Sequence, residues 1–238
     1  MREQASTRSD SLRAILFDFD GVLADSEPVH CAMFQKVLEG EGILLSEDEY
    51  YEKYLGLDDR ACFAAIFKDR GKPFDADKQE ELIHKKNEVV LRAISQKLLL
   101  LPGIVELIEK ISGRYYLAIV SGALKNEILE ILRQGGIDRK FHLIVAAEDV
   151  TKGKPDPEGF LKAIRLLNRD FVPPAEILLP EECLVVEDSP WGIEAGKKAG
   201  AKTVAVLTSY PRERLQEADL IVPNLKVIKW PEIEKLFV

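Results

Sequence analysis

The sequence predicts an α/β protein: a doubly wound parallel sheet with a helical cap inserted after its first strand. Three observations carry this. From about residue 99 onward, short β-branched runs alternate with helical segments, the pattern of strands covered by helices on both faces. One further run of that kind stands far upstream at residues 12–17. Between the two, residues 28–98 read as helix with no convincing strand.

Taken in order, the run 12–17 ends in Asp18-Phe19-Asp20-Gly21, which fits a buried strand stopping at a turn. Val29, Met33, Phe34, Val37 and Leu38 then recur at helical spacing, as do Leu82, Ile83, Val89, Val90, Ala93 and Ile94. After Leu101-Pro102-Gly103 the text alternates: helix 104–111, strand 116–120, helix 125–134, strand 143–146 and helix 157–167. Strand 183–186, helix 192–199, strand 203–206 and a short run 220–222 complete it. Residues 168–182, with Pro173, Pro174 and Pro180, read as an external loop. The expected organisation is an N-terminal arm over 1–11, a Rossmann-like core from 12–24 and 99–238, and a helical cap over 25–98. Ligands of open α/β sheets bind beyond the carboxyl ends of the strands, so a cap leaving from the end of the first strand would close over that crevice.

Composition narrows the function classes. The chain has 238 residues, with 33 Lys+Arg against 41 Asp+Glu and a net charge of −8. An acidic balance without basic clusters disfavours nucleic acid as a partner. The longest stretch free of Asp, Glu, Lys and Arg runs from Tyr115 to Leu124, half of the ~20 apolar residues a membrane helix needs. No membrane partner is expected. The polar start lacks the apolar core of a secretory signal, and Cys31, Cys62 and Cys183 lack metal-binding spacing, so a cytoplasmic monomer with reduced thiols is expected.

The chemistry gathers where strands end. Asp18 and Asp20 follow the first strand, Ser121-Gly122 the second, and Glu187-Asp188 the strand that starts at Cys183; Lys154 lies in Lys-Gly-Lys-Pro-Asp-Pro before a helix. Singly, each has a plain reading as a turn, a helix cap or a solvated lysine. Together they fall on one edge of the sheet. Four carboxylates so placed could not all ionise without a cation, and a hard divalent ion, Mg²⁺, suits their oxygen ligands.

These segments resemble a known family. FDFDGVLADSEPVH, VSGA, KGKPDPEGF and VVEDSPWGIEAGKKAG are similar, in order and spacing, to the four motifs of the haloacid dehalogenase superfamily, in its helical-cap branch with β-phosphoglucomutase and sugar-phosphate phosphatases. The resemblance covers about residues 12–223. It implies Asp18 as the nucleophile that takes up a phosphoryl group, Asp20 as general acid/base, and Ser121, Gly122 and Lys154 as phosphate holders. It implies Mg²⁺ held by Asp18, Asp20, Asp188 and Glu187, Asp20 through its backbone carbonyl. The expected partner is a small phosphorylated metabolite. The roles make chemical sense, because a carboxylate attacks a dianionic phosphate only when cations offset the repulsion.

For the cap, the resemblance and the helix pattern single out Lys86, on a stripe with Leu82, Val89 and Ala93, as a cation for the far end of the substrate. His30, ten residues after Asp20, is a further candidate. The loop 54–60 resembles the specificity loop of the cap, but Asp59 stands where the mutase has an arginine, with Arg60 one place later. The expectation is therefore a Mg²⁺-dependent phosphatase working through an aspartyl-phosphate on Asp18, with β-phosphoglucomutase-type isomerisation as the alternative. A phosphorylated signalling receiver is disfavoured by the length of the chain and the insertion after the first strand. Dehalogenation is disfavoured because an alkyl halide gives the extra acids no cation to hold.

Overall fold

The computed structural model describes residues 11–238 apart from Gln96 and Leu98. The expected N-terminal arm therefore lies, except for Ser11, outside the described residues, as does the expected last residue of the cap. Six parallel strands form one sheet in the order β3-β2-β1-β4-β5-β6: β1 (Ala14–Phe17), β2 (Tyr116–Val120), β3 (Leu143–Val145), β4 (Cys183–Glu187), β5 (Lys202–Val206) and β6 (Leu220–Val222). The chain winds outward from β1 in one direction and from β4 in the other, so the strand order reverses between these central neighbours. Phe17 is level with Ile119 of β2 and with Val186 of β4. The residues that follow these three strands therefore leave the sheet side by side, at the topological switch point.

Alternation along the strands divides the core. Ile15 and Phe17 join Leu117, Leu184 and Val204 in a cluster with α5 (Ile104–Ile111), α6 (Lys125–Gln134) and the C-terminal α9 (Trp230–Glu234). Ala14 and Leu16 point the other way, into a cluster with α7 (Glu158–Asp170) and α8 (Pro190–Lys198). Both faces are dry, which is why the strands read as unbroken apolar runs.

The segment between β1 and α5 is helical throughout its regular structure: α1 (Glu27–Glu39), α2 (Glu47–Glu49) continuing as a π turn over Tyr50–Tyr54, α3 (Asp59–Asp69) and α4 (Ala76–Ile94). Ser46, Asp58 and Asp75 each accept a hydrogen bond from the backbone three residues on, fixing the starts of α2, α3 and α4. Phe34, Tyr50, Phe63, Phe67 and Leu82 centre a hydrophobic cluster of its own. The last turns of α4 are shared, since Val90 and Ile94 pack into the sheet's cluster. Where the chain enters and leaves this segment its two strands pair: Asp25 N–H donates to Leu99 O at 2.8 Å, and Leu101 N–H to Leu23 O at 2.9 Å, around an antiparallel bridge between Ala24 and Leu100.

Differences from the sequence reading are local. Helix α7 runs on to Asp170, beyond the expected end at 167, through a polar last turn that adds no apolar period to the sequence pattern. Helix α9 was not anticipated; at five residues it is too short to show a pattern. Among the described residues no helix is long and apolar enough to cross a membrane, and all three cysteines are buried free thiols.

Candidate active site

Asp18 follows β1 directly and is buried, its backbone N–H donating to Val186 O. The chain then turns tightly, with the N–H groups of Leu23 and Ala24 both on Phe19 O and Gly21 N–H on Ala24 O. Gly21 carries φ +75°, and a Cβ built there would stand 1.9 Å from Asp188 Oδ2. Only glycine allows the turn and the close approach of Asp188 together. Ser26, 1% exposed, occupies the N-cap of α1 without capping it; its hydroxyl instead donates to Asp20 Oδ1. Ser121 Oγ approaches Asp20 Oδ2 at 3.5 Å.

From β4 come Glu187 and Asp188, both buried. Glu187 Oε2 accepts from the backbone N–H of Asp188 and Ser189 and from the Ser189 hydroxyl, while Oε1 takes a 2.6 Å bond from Lys154 Nζ. Lys154 also donates to Asp18 Oδ1. Ser209, just beyond β5, donates to Asp188 Oδ2.

The electrostatics follow from burial. Desolvation lifts Asp18 to about 8 against the pull of Lys154, with Glu187 and Asp20 adding repulsion. Asp188 is raised for the same first reason, with Asp18 next. Burial also works against the charge on Lys154, but Asp18 and Glu187 overcome it and hold the ammonium. Desolvation raises Asp20 too, although Ser26 opposes it. Asp18, Glu187 and Asp188 each offer an oxygen within 4.8 Å of the others. Three buried carboxylates with one lysine leave negative charge uncompensated, and an all-oxygen donor set is what a hard divalent cation takes. The residues fit such an ion.

Of the residues expected from the sequence, Asp18, Asp20, Ser121, Lys154, Glu187 and Asp188 come together at the strand ends. The carboxylate of Asp20 lies outside the group of three and is engaged by Ser26 and Ser121. Gly122 follows Ser121 in a loop that enters α6 three residues later, at Lys125.

Model comparison decides the family: the haloacid dehalogenase-like hydrolase family model matches residues 15–206. The chain belongs to the haloacid dehalogenase-like hydrolases. It is an enzyme of that family. A phosphorylated carbohydrates phosphatase of Thermotoga maritima is 30% identical over 81% of this chain and 84% of its own length. A β-phosphoglucomutase of Bacillus subtilis is 32% identical over 89% of each. The solved β-phosphoglucomutase of Clostridium difficile superposes with a TM-score of 0.82 at 26% identity, covering 95% of this chain and 97% of that one.

The cap candidates of this hydrolase are arranged in a way its sequence did not foretell. Lys86 is fully buried; its Nζ donates to Asp59 Oδ1 at 2.6 Å and to His30 Nδ1 at 2.8 Å. Because His30 Nδ1 accepts, its proton sits on Nε2, which faces Glu127 Oε2 of α6 at 3.8 Å. Burial first, and Lys86 second, keep His30 neutral. Arg60 is exposed, and its backbone oxygen accepts from Gln79. Sequence reasoning missed Ser26, Glu27, Glu127 and Ser209, and it noted Asp59 only as the residue at the mutase's arginine position, not as the partner of Lys86. Ser209 had a signal, being a hydroxyl just past a strand end; Glu127 had none, because it looks like any acid in a helix's first turn.

Proposed function

We propose that this enzyme is a Mg²⁺-dependent phosphatase of small phosphorylated metabolites, sugar phosphates first among them, acting through an aspartyl-phosphate on Asp18. The observation that carries this is the division of labour between two acids two residues apart. Asp18 is clamped by Lys154 beside Glu187 and Asp188, whereas Asp20 is turned to Ser26 and Ser121. One is placed to attack and the other to handle protons.

Asp18, Glu187 and Asp188, with the Asp20 backbone oxygen, would hold Mg²⁺, which supplies neutralisation of the phosphoryl oxygens when bound. Lys154 adds a second positive charge from the chain itself. An Asp18 oxygen attacks phosphorus as the bond to the leaving oxygen breaks, and Asp20, whose hold on a proton burial strengthens, passes a proton to that oxygen. Asp20 then takes a proton from water as the water attacks phosphorus, freeing phosphate and restoring Asp18. Ser121 and the Gly122 N–H are the donors for the remaining phosphoryl oxygens.

Hydrolysis is favoured over isomerisation by Asp59, which stands at the mutase's arginine position and is tied to Lys86. The buried free thiols support a cytoplasmic protein, and a monomer acting on small molecules is the simplest assembly for it. A panel of sugar phosphates incubated with enzyme and Mg²⁺, followed for phosphate release and for isomer formation, tests the reading. Release without isomerisation is expected; isomerisation alone, or neither, would overturn it.

A further inference from the structure

The loop that follows the π turn of the inserted segment comes down on two aromatic side chains from the sheet side. A Cβ built on Gly56 would stand 3.3 Å from the edge of the Trp191 ring and 3.3 Å from the Tyr210 hydroxyl oxygen. That hydroxyl donates to Leu55 O at 3.5 Å, the long end of the hydrogen-bond range. Burial pushes the phenol up to about 12, so it keeps the proton it donates. Trp191 and Tyr210 meet edge to face with ring centres 5.6 Å apart, and the Arg214 guanidinium lies over the Tyr210 ring at 5.8 Å. Trp191 is 36% exposed, outside the hydrophobic core.

Both rings stand on the scaffolding of the acid cluster. Trp191 lies in the first turn of α8, three residues after Asp188. Ser189 pins that turn, its hydroxyl accepting from Gly192 N–H at 3.0 Å and donating to Glu187 at 2.9 Å. Tyr210 follows Ser209, the donor to Asp188 Oδ2. A cavity of about 210 Å³ lies alongside, walled by Tyr51 and Leu55 from the inserted segment and by Gly21, Thr208 and Ser209 from the strand ends. Leu55 and Ser209 are common to both features: they line the cavity, and the aromatic contact begins at Leu55 O and at the residue after Ser209. The height of the loop over the cavity is therefore fixed from the same segments that hold Glu187 and Asp188.

We propose that Trp191 and Tyr210 are positioning residues, which seat the 55–57 loop over the cavity beside Asp188 and so align the wall that meets the substrate's leaving group. The seat stands on this geometry alone, whereas its kinetic consequence rests on the phosphatase reading above. An edge-to-face aromatic contact shifts an opening equilibrium by about 2- to 10-fold. Loss of the seat leaves Asp18, Lys154 and the other acids in place and frees the loop. What is lost is then binding energy from the remote end of the substrate, which a small aryl ester does not use.

Hydrogen exchange read by mass spectrometry on the full chain tests the seat directly. Trp191→Ala and Tyr210→Ala should speed exchange of the amides of residues 51–58 by ~2- to 10-fold while β1 and β4 stay as protected as in the wild type. Trp191→Phe, which keeps an aromatic ring, should recover part of that protection. Unchanged exchange over 51–58 in both alanine variants would overturn the proposal. So would an equal rise in β1 and β4, which would make the rings part of global stability. With Mg²⁺ present, the alanine variants should lose ~10-fold in kcat/KM on a hexose 6-phosphate and less than ~3-fold on p-nitrophenyl phosphate. Equal losses on the two esters, or no loss on either, would overturn the positioning role while phosphatase activity stands. Should the wild type release phosphate from neither ester, the phosphatase reading falls, and exchange over 51–58 still decides the seat.

Discussion

Glu187 lies directly under Gly192: a Cβ on that glycine would stand 1.8 Å from the Glu187 carboxyl. The first turn of α8 thus passes over the acid that anchors Lys154. Gly192→Ala has no way to keep both in place, since the atom in its path is the head of a fully buried side chain with four donors on it. The expected result is a loss of at least ~100-fold in phosphate release, with a lowered Tm; near-normal turnover would mean that Glu187 can move without consequence.

Metal removal should act on both activity and stability. Asp18, Glu187 and Asp188 crowd together in a desolvated place, so a divalent ion that binds the folded chain stabilises it by mass action. Phosphate release should stop in excess chelator and return with Mg²⁺, and Tm should rise as Mg²⁺ is titrated. Full activity in chelator would sink the metal assignment.

Asp18→Asn should abolish turnover while leaving Tm unchanged or higher, because one of the mutually repelling acids is gone. Asp20→Asn should depend on the leaving group instead. Sugar phosphates, whose alkoxides need a proton, should slow by ~10²- to 10⁴-fold, and p-nitrophenyl phosphate far less. Equal losses on the two would take the proton-transfer role away from Asp20.

Lys86 and Asp59 should be coupled. Removing only the ammonium leaves an uncompensated carboxylate and an unpaired imidazole nitrogen inside the protein, so Lys86→Ala should cost about 2–4 kcal/mol in denaturant unfolding. Adding Asp59→Ala should recover part of that loss. A strictly additive double-mutant cycle would show that the pair does not interact in solution.

Glu127 gives the stability curve a sign. Burial holds its carboxyl at about 8, where an unfolded glutamate titrates near 4.5. The folded chain therefore keeps the proton more tightly, and the contribution is full below about 4.5 and is lost as pH rises through 8. Glu27, held at about 7 by burial and then by Asp20, adds in the same direction. Glu127→Gln should flatten the decline in unfolding free energy between pH 5 and 8 by about 1–4 kcal/mol. An unchanged slope would place the Glu127 carboxyl in water.

The candidate site's edge was legible because each of its residues follows a strand or precedes a helix, positions that apolar periodicity locates well. Asp18 is level with Glu187 at the end of β4, and Ser121 lies one residue further along β2, so placing the strands placed them too. The fate of Lys86 was not legible. Its helix stripe showed a lysine among apolar residues but could not show that Asp59, 27 positions away, would take the charge. Glu127 was hidden for a similar reason: α4 packs against α6, and His30 of α1 lies against its carboxyl. Pairings between separate elements are set by tertiary packing, to which local pattern is blind.

The paired strands at residues 23–25 and 99–101 bear on how this architecture could diversify. Entry and exit of the inserted segment lie side by side, joined by two backbone-to-backbone hydrogen bonds in which no side chain takes part. A replacement segment whose ends meet at the same spacing could be spliced there as a cassette, leaving the six-stranded sheet and its cluster of acids untouched. The chief toll of such an exchange would fall on the last turns of α4, where Val90 and Ile94 are shared with the sheet's own core. A graft that keeps those two apolar contacts should fold, and selectivity should travel with the cassette.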